Sequence, residues 1–142
     1  MTTGTEWIVE AYGCDPGLLS SLDAVKALFA CIVRDLNLHP CGETQWQQFP
    51  RSSGITGLCL LSESHLACHT FPEYGSLCLN LFCCRLRPEW DFSGHLQRLF
   101  SAQKMNIRRL ERPYSDSASE SEVACAVPGR GRRHDAAHLK LP

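Results

Sequence analysis

The chain has 142 residues, of which 44% are hydrophobic and 20% are charged, and its formal net charge is -1. These values are typical of one globular domain with enough apolar side chains for a core. A net charge this close to zero gives no electrostatic reason to expect nucleic acid or an anionic membrane as a partner. No apolar run approaches the roughly 20 residues of a membrane-spanning helix, and the N-terminus lacks the features of a secretory signal. We therefore expect a cytoplasmic protein.

Changes in hydrophobic periodicity predict elements in the order β-α-β-β-β-β-α-β. The first strand covers residues 6–12, and Asp15-Pro16 then begins a helix whose apolar stripe continues to Asn37. Further strands are predicted at residues 43–49, 55–61, 65–71, 76–84 and 105–111. The second helix begins at Asp91 or Ser93, just before the last of these strands.

The order of these elements predicts an α+β fold, namely a two-layer α/β sandwich in which two helices cover one face of an antiparallel sheet. Residues 55–61 are almost continuously apolar, as expected of a strand buried on both faces. We expect a single domain over residues 1–113. Residues 114–142 lack apolar periodicity and are rich in serine, acidic residues and arginine, which predicts a disordered tail.

Nine cysteines are many for this length. Their odd number and the missing secretory signal argue against a framework of disulfide bonds. Most of them lie in apolar runs, where a free thiol behaves as a small hydrophobic side chain. We expect most of the cysteines to be reduced and buried.

The turn between residues 61 and 65 carries more reactive groups than a connection between two strands requires. It contains Ser62, Glu63 and Ser64, and His65 follows at once. Either His65 or His69 alone would be more typical of an ordinary core or surface position. Their combination with two serines and with nearby Thr56, Cys83 and Cys84 indicates a chemical site, because a serine at a strained turn beside a base can act as a nucleophile.

Three kinds of site could use these groups. A Ser-His-acid hydrolase would place its serine in a G-x-S-x-G turn between a strand and a helix, whereas Ser64 lies between two strands. A zinc site is disfavoured because the chain has no C-x-x-C pair, and Cys83 and Cys84 would point to opposite faces of a strand. In the third kind, the Ser64 hydroxyl attacks the carbonyl of Glu63 and converts the peptide bond into an ester.

The segment GITGLCLLSESHLACHTFPEYG, residues 54–75, is followed by LNLFCC at residues 79–84. Together they resemble the bacterial and archaeal S-adenosylmethionine decarboxylase proenzymes, which are self-cleaving and pyruvoyl-dependent. The resemblance covers residues 6 to about 112. It implies that Ser64 attacks Glu63 and that elimination of the ester leaves Ser64 as an N-terminal pyruvoyl group. The products would be a β chain, residues 1–63, and an α chain, residues 64–142.

The resemblance also implies roles for residues outside the cleaved bond. His69 matches the histidine that removes the α-proton during processing, and Thr56 stands where the family often has a serine that assists cleavage. Cys84 matches the cysteine that donates a proton to the substrate carbon. Cys83 occupies a position where threonine is usual, and the spacing from Ser64 favours Cys84.

For the substrate, Glu73 matches the acid that holds the ribose hydroxyls. Phe71 replaces the usual tryptophan in contact with adenine, and Phe49 offers a second aromatic surface for the adenine and the sulfonium. Arg85 stands where glycine is common, and this departure and Phe71 both bear on the choice of substrate. Ornithine or arginine decarboxylation by the same chemistry, and a non-catalytic relative acting only as a dimer partner or binding module, stay open as alternatives.

The implied cofactor is the pyruvoyl group alone, which forms a Schiff base with the amine of S-adenosylmethionine and acts as an electron sink. We expect no metal, for the reasons given above. We also expect no pyridoxal phosphate, which is held by a lysine, since Lys26, Lys104 and Lys140 all lie outside the cluster. The product would be the aminopropyl donor for spermidine in polyamine biosynthesis. The resemblance further implies a homodimer, or a higher oligomer of α/β pairs, in which the aromatic residues and Glu73 reach the substrate from the partner subunit.

Overall fold

The structure is a computed structural model and describes residues 2–116. Its elements, in chain order, are β1 (Thr3–Tyr12), α1 (Pro16–Leu19), α2 (Leu22–Asp35), β2 (Gln45–Gln48), β3 (Ile55–Leu61), β4 (Ser64–Phe71), β5 (Ser76–Cys83), α3 (Phe92–Phe100) and β6 (Lys104–Pro113). Within the described range the strands form one antiparallel sheet in the order β2-β3-β4-β5-β1-β6. The two longer helices pack on one face of this sheet, so the predicted α+β sandwich is confirmed.

The helix predicted from residue 15 to residue 37 is divided in two, so that prediction is wrong in detail. Asp15 caps α1 by accepting a hydrogen bond from Leu18 N–H, and Ser21 caps α2 by accepting one from Ala24 N–H. A second N-cap begins a new helix. The apolar stripe gave no sign of the break because its spacing continues through the two serines. The predicted cap of the second helix is resolved in favour of Asp91, which accepts from Gly94 N–H.

The core lies between the helices and the face of the sheet that they cover. Alternation along the strands places Val9, Leu66 and Leu79 on this face, against Leu28 and Ile32 of α2. Cysteines contribute as well. Eight lie among the described residues and all are free thiols, with Cys14, Cys59, Cys68 and Cys83 buried. Burial is thus complete for half of these eight cysteines.

The opposite face of the sheet, which we call the open face, carries exposed apolar side chains. On β3, Ile55, Cys59 and Leu61 are buried, whereas Leu58 is 48% and Leu60 is 62% exposed. The prediction that this strand is buried on both faces is therefore wrong for the single chain. The reason is that the helices cover only one face, so the continuous apolar run has a solvent-facing half.

The predictions about membrane spans and about the C-terminal tail are tested only as far as the described residues extend. None of the helices within residues 2–116 is long and apolar enough to cross a membrane. The predicted disordered tail lies almost entirely outside the described residues, which end at residue 116. Of its first residues, Tyr114 donates a hydrogen bond from its hydroxyl to the carbonyl of Cys84 at 2.9 Å.

Candidate active site

The loop between β3 and β4 is a two-residue hairpin turn, because Leu61 pairs with Ser64 across Ser62 and Glu63. Such turns usually place a positive φ within the loop. Here both loop residues keep negative φ, and Ser64 takes a φ of 147°. A non-glycine residue held at positive φ stores of the order of 1–3 kcal/mol of strain. The strain therefore lies at Ser64, the serine of the Glu63–Ser64 bond.

The carbonyl oxygen of Glu63 accepts a hydrogen bond from the backbone N–H of Cys84 at 2.7 Å. The contact forms because Ser64 pairs with Cys83 on β5, which brings Cys84 beside the turn. An N–H aimed at a carbonyl oxygen polarises that carbonyl and stabilises any negative charge that develops on it. The Glu63–Ser64 bond thus combines a strained serine with a polarised carbonyl.

The Glu63 side chain is buried and fixed by two basic residues. Its carboxylate accepts from His39 N–H at 3.1 Å, contacts His39 Nδ1 at 2.6 Å and pairs with Arg87 at 3.4 Å. Burial alone would raise the Glu63 pKa, but the hydrogen bonds from His39 outweigh it and hold that pKa below its usual value. His39 and Arg87 each lie 24 residues from Glu63. Sequence reasoning missed both, since no local motif contains them.

His65 belongs to a hydrogen-bonded chain that crosses the open face. Its Nδ1 lies 3.1 Å from Ser64 Oγ, and its Nε2 lies 2.6 Å from Asn80 Oδ1. Asn80 Nδ2 in turn donates to Glu6 Oε1 at 2.9 Å, and Arg112 forms an ion pair with Glu6. The sequence placed His65 at the turn but gave no sign of its partners, which come from β5, β1 and β6.

The two adjacent cysteines have different surroundings. Cys83 faces the core and is fully buried, and this burial raises the pKa of its thiol to about 11. Cys84 is partly exposed and lines a cavity of about 480 Å³ together with Glu63, Arg85 and Arg87. Of the two thiols, the one on Cys84 is the one that a molecule in this cavity could reach.

A second group of predicted residues lies at the other end of β4, and we call it the His69 cluster. Thr56 Oγ1 lies 2.5 Å from His69 Nδ1, and the His69 ring centre lies 4.5 Å from that of Phe71 and 5.7 Å from that of Phe49. A cavity of about 310 Å³ on the open face opens beside His69 and Thr56. Glu73 is exposed in the 3₁₀ turn Pro72–Tyr74 that follows the strand.

The predicted site residues therefore fall into two groups. The cleavage cluster contains Glu63, Ser64, His65 and Cys84, and the His69 cluster lies five residues further along β4. Five residues of extended strand span roughly 16 Å, which exceeds the reach of a histidine side chain. Within one chain, His69 does not contact Ser64.

No group of three or more histidine, cysteine, aspartate or glutamate side chains within residues 2–116 is arranged to hold a metal ion. The cleavage cluster instead offers a nucleophile, a neighbouring imidazole and a polarised carbonyl. These groups suit acyl transfer from nitrogen to oxygen within the backbone.

A family model described as S-adenosylmethionine decarboxylase matches residues 5–113 of the chain. The chain belongs to this family. A relative from Clostridium kluyveri, named S-adenosylmethionine decarboxylase proenzyme, is 32% identical over 125 residues, which cover 85% of this chain and 95% of the relative. A relative of the same name from Picrophilus torridus is 30% identical over 113 residues, which cover 79% of this chain and 85% of the relative.

The family assignment also agrees with a solved structure. The crystal structure of the adenosylmethionine decarboxylase from Aquifex aeolicus superimposes with a TM-score of 0.66 at 21% identity. The match covers 82% of this chain and 95% of that chain. At this identity the likeness supports the fold, and the sequence relatives carry the family.

Proposed function

We propose that this chain is the proenzyme of an S-adenosylmethionine decarboxylase that cleaves itself between Glu63 and Ser64. One observation carries the proposal: the Glu63 carbonyl accepts a 2.7 Å hydrogen bond from Cys84 N–H directly before a serine with a φ of 147°. A turn that only connected two strands would need neither feature. The names of the relatives point to the same activity and favour it over ornithine or arginine decarboxylation.

The proposed cleavage begins when Ser64 Oγ adds to the carbonyl carbon of Glu63. Cys84 N–H holds the resulting oxyanion, and the bond from this carbon to the Ser64 nitrogen breaks. The hydroxyl proton passes to the released amine, which leaves an ester in place of the peptide bond.

A base then removes the α-proton of Ser64, and Glu63 departs as the carboxylate at the end of the β chain, residues 1–63. The remaining dehydroalanine tautomerises to an imine, and water replaces its nitrogen as ammonia. This leaves a pyruvoyl group at the start of the α chain, residues 64–142. In the proposal His69 is the base for the α-proton, and Thr56 orients it through their 2.5 Å contact.

The cleavage cluster fits the pyruvoyl cofactor, because the position that would carry it adjoins the cavity lined by Cys84. Such a group supplies a carbonyl that condenses with the substrate amine and accepts the electrons left when CO₂ departs. The Cys84 thiol then donates a proton to the substrate carbon. Glu73 would hold the ribose hydroxyls, while the rings of Phe71 and Phe49 would stack on adenine and the sulfonium.

A second copy of the chain completes the proposed site. The two clusters lie roughly 16 Å apart along β4, and each lacks groups that the other holds. The open face between them carries the exposed Leu58 and Leu60, which a partner could cover. If two open faces pack with their β4 strands antiparallel, Ser64 of one protomer lies beside the partner subunit's His69. We therefore propose a homodimer in which the base and the substrate-binding residues come from the partner.

The proposed product is the aminopropyl donor for spermidine, which places the enzyme in polyamine biosynthesis. The cytoplasmic location predicted from the sequence stays a prediction.

Intact-mass measurement of the purified protein tests the cleavage. The wild-type chain should yield two fragments that separate before Ser64, with a pyruvoyl mass at the start of the second. Ser64→Ala should remain one chain of about 15.9 kDa. Ser62→Ala is the matched control, because it removes the other serine of the turn and should cleave normally. A wild-type chain that stays whole would refute the proposal.

The substrate is tested with the cleaved protein. CO₂ release should be observed with S-adenosylmethionine and not with ornithine or arginine. Release from either of the last two alone would keep the pyruvoyl chemistry and overturn the proposed substrate.

A further inference from the structure

Self-cleavage requires a base for the Ser64 hydroxyl. The proposed dimer brings the partner subunit's His69 to Ser64 for the later α-proton, but within one chain His69 does not reach this hydroxyl. His69 is five residues away along β4, and its Nδ1 is occupied by Thr56. His65 Nδ1, by contrast, lies 3.1 Å from Ser64 Oγ. Resting on the proposed cleavage, we propose that His65 takes the hydroxyl proton from Ser64, and that Asn80 and Glu6 hold His65 in the tautomer that can do so.

The polarity of the chain from Glu6 to Ser64 is fixed at its Glu6 end. An ionised carboxylate can only accept hydrogen bonds, so the Asn80 side chain must present its NH₂ group to Glu6. The amide oxygen of Asn80 then faces His65, which requires the proton of the neutral imidazole to be on Nε2. The free lone pair is therefore on Nδ1, where the Ser64 hydroxyl can donate to it.

Glu6 is well suited to fix this polarity. It is 9% exposed, and its carboxylate contacts both Asn80 and Arg112. The hydrogen bond from Asn80 lowers the Glu6 pKa, and burial opposes this effect. The hydrogen bond and the charge of Arg112 lower it further, so the Glu6 pKa lies below its usual value. The same logic operates when a buried carboxylate orients a catalytic histidine.

The proton transfers balance without any other reactant. His65 Nδ1 accepts the proton of Ser64 Oγ as that oxygen bonds to the Glu63 carbonyl carbon. The imidazolium returns the proton to the Ser64 nitrogen as the carbon–nitrogen bond breaks, which yields the ester and neutral His65. His65 and His69 thus act at different stages, the first before the ester and the second after it.

Hydroxylamine separates these stages, because it cleaves esters and leaves ordinary peptide bonds intact. We expect His65→Ala to slow cleavage by about 10²- to 10⁴-fold, the usual contribution of a general base. The uncleaved chain should resist hydroxylamine. His69→Ala should also remain uncleaved but should be split by hydroxylamine at Glu63–Ser64. His95→Ala is the control, since His95 lies on α3 beside Trp90 and Asp35, and it should cleave like the wild type.

Glu6→Gln tests the positioning role and does not depend on the His65 variant folding. Glutamine can present either an oxygen or an NH₂ group to Asn80, so it no longer fixes the tautomer. We expect cleavage to slow by about 10- to 100-fold, the range for losing a hydrogen bond to a charged group. Nitrogen NMR of the His65 ring, measured in a Ser64→Ala background, should show the Nε2–H tautomer when Glu6 is retained and a mixture of tautomers in the Glu6→Gln protein.

The results distinguish this inference from the function on which it rests. If the wild-type chain fails to cleave, the proposed function is wrong. If the wild type cleaves and a folded His65→Ala chain cleaves equally fast or stops at the ester, His65 is not the base. An unchanged ring tautomer in the Glu6→Gln protein would overturn the positioning role of Glu6.

Discussion

The two ends of β4 are built for different tasks. At the Ser64 end, the backbone is strained, the carbonyl is polarised, and the Glu63 carboxylate is held by His39 and Arg87. At the His69 end, two aromatic rings lie against one imidazole, and the strand has ordinary geometry. The first arrangement favours bond breaking and proton transfer, and the second offers flat surfaces for a ligand. The length of β4 keeps the two ends apart, and in the proposed dimer a second chain brings them together.

The largest expected effect is on self-cleavage when Ser64 and His69 are supplied by different chains of one dimer. Ser64→Ala retains His69, and His69→Ala retains Ser64. If the base comes from the partner, neither variant alone should yield fragments, whereas coexpression should give cleavage of the His69→Ala chain. Gel electrophoresis with one chain carrying an affinity tag identifies the chain that breaks.

The matched control replaces the Ser64→Ala chain with the Ser64→Ala/His69→Ala double variant, which offers no histidine to its partner. This pair should give no fragments. If the first pair also stays whole although mixed dimers form, His69 does not act across the interface.

The next largest effect is on decarboxylation, which should depend on the thiol of Cys84 and not on that of Cys83. Cys84→Ala keeps the backbone N–H that faces the Glu63 carbonyl, so self-cleavage should proceed. Loss of the thiol should slow decarboxylation by about 10²- to 10⁴-fold, because the proton donor is missing. Cys83→Ala should retain turnover and lose about 1 kcal/mol of stability, since Cys83 is a buried core residue.

Turnover assays on the cleaved proteins and urea unfolding of both variants measure these effects. Full activity in Cys84→Ala would remove the thiol from the mechanism. Loss of cleavage in the same variant would show that the side chain, rather than the backbone N–H, acts during processing.

A charge on the open face should weaken the dimer. Leu60 is 62% exposed in the single chain, and Leu60→Lys would place a charge in the proposed interface. We expect the dimer dissociation constant to rise by at least about 10-fold, with slower cleavage as a consequence. Ile107→Lys is the control, because Ile107 is 40% exposed but pairs with Val9 on the helix side of the sheet. Sedimentation at several concentrations compares the two, and equal effects would argue against the open face as the interface.

The smallest effect concerns the acid dependence of stability at the Ser64 end. The Glu63 pKa is below its usual value of 4.5 in the folded chain. Its hydrogen bonds therefore stabilise the fold above that pH, and the stabilisation is lost as the pH falls through the lowered pKa. In a Ser64→Ala background, Glu63→Gln should cost about 1–3 kcal/mol at pH 7. This difference in unfolding free energy should shrink in acid, and a constant difference would contradict the assignment.

The sequence was sufficient for the architecture and for the residues of the turn. Along β4, His65 and His69 lie on one face and the buried Leu66 and Cys68 lie on the other, as the alternation of any strand requires. Periodicity did not show the break before Ser21, because an apolar stripe is insensitive to where a helix begins again. A continuous apolar run also does not show whether both faces of a strand are covered within the same chain. The prediction that β3 is buried on both faces was wrong for this reason.

The contacts that the sequence did not predict are long-range and polar. His39 and Arg87 reach Glu63 from distant segments, and Glu6 is linked to His65 through Asn80. These pairings depend on strand register rather than on any local pattern. The motif placed Ser64 and His69 five residues apart, and only the extended geometry of β4 shows that this spacing separates them. Strand register, rather than spacing along the chain, therefore decides which of these groups meet.

The strand order has a further consequence for the two products of cleavage. β1, β2 and β3 would belong to the β chain, and β4, β5 and β6 to the α chain, yet β1 lies between β5 and β6. The fragments would be interleaved and would separate only if three strand pairings broke. Cleavage would thus leave the fold in place but change how it can be regained. The precursor refolds as one molecule, whereas the unfolded fragments must first meet, so their refolding rate would depend on concentration.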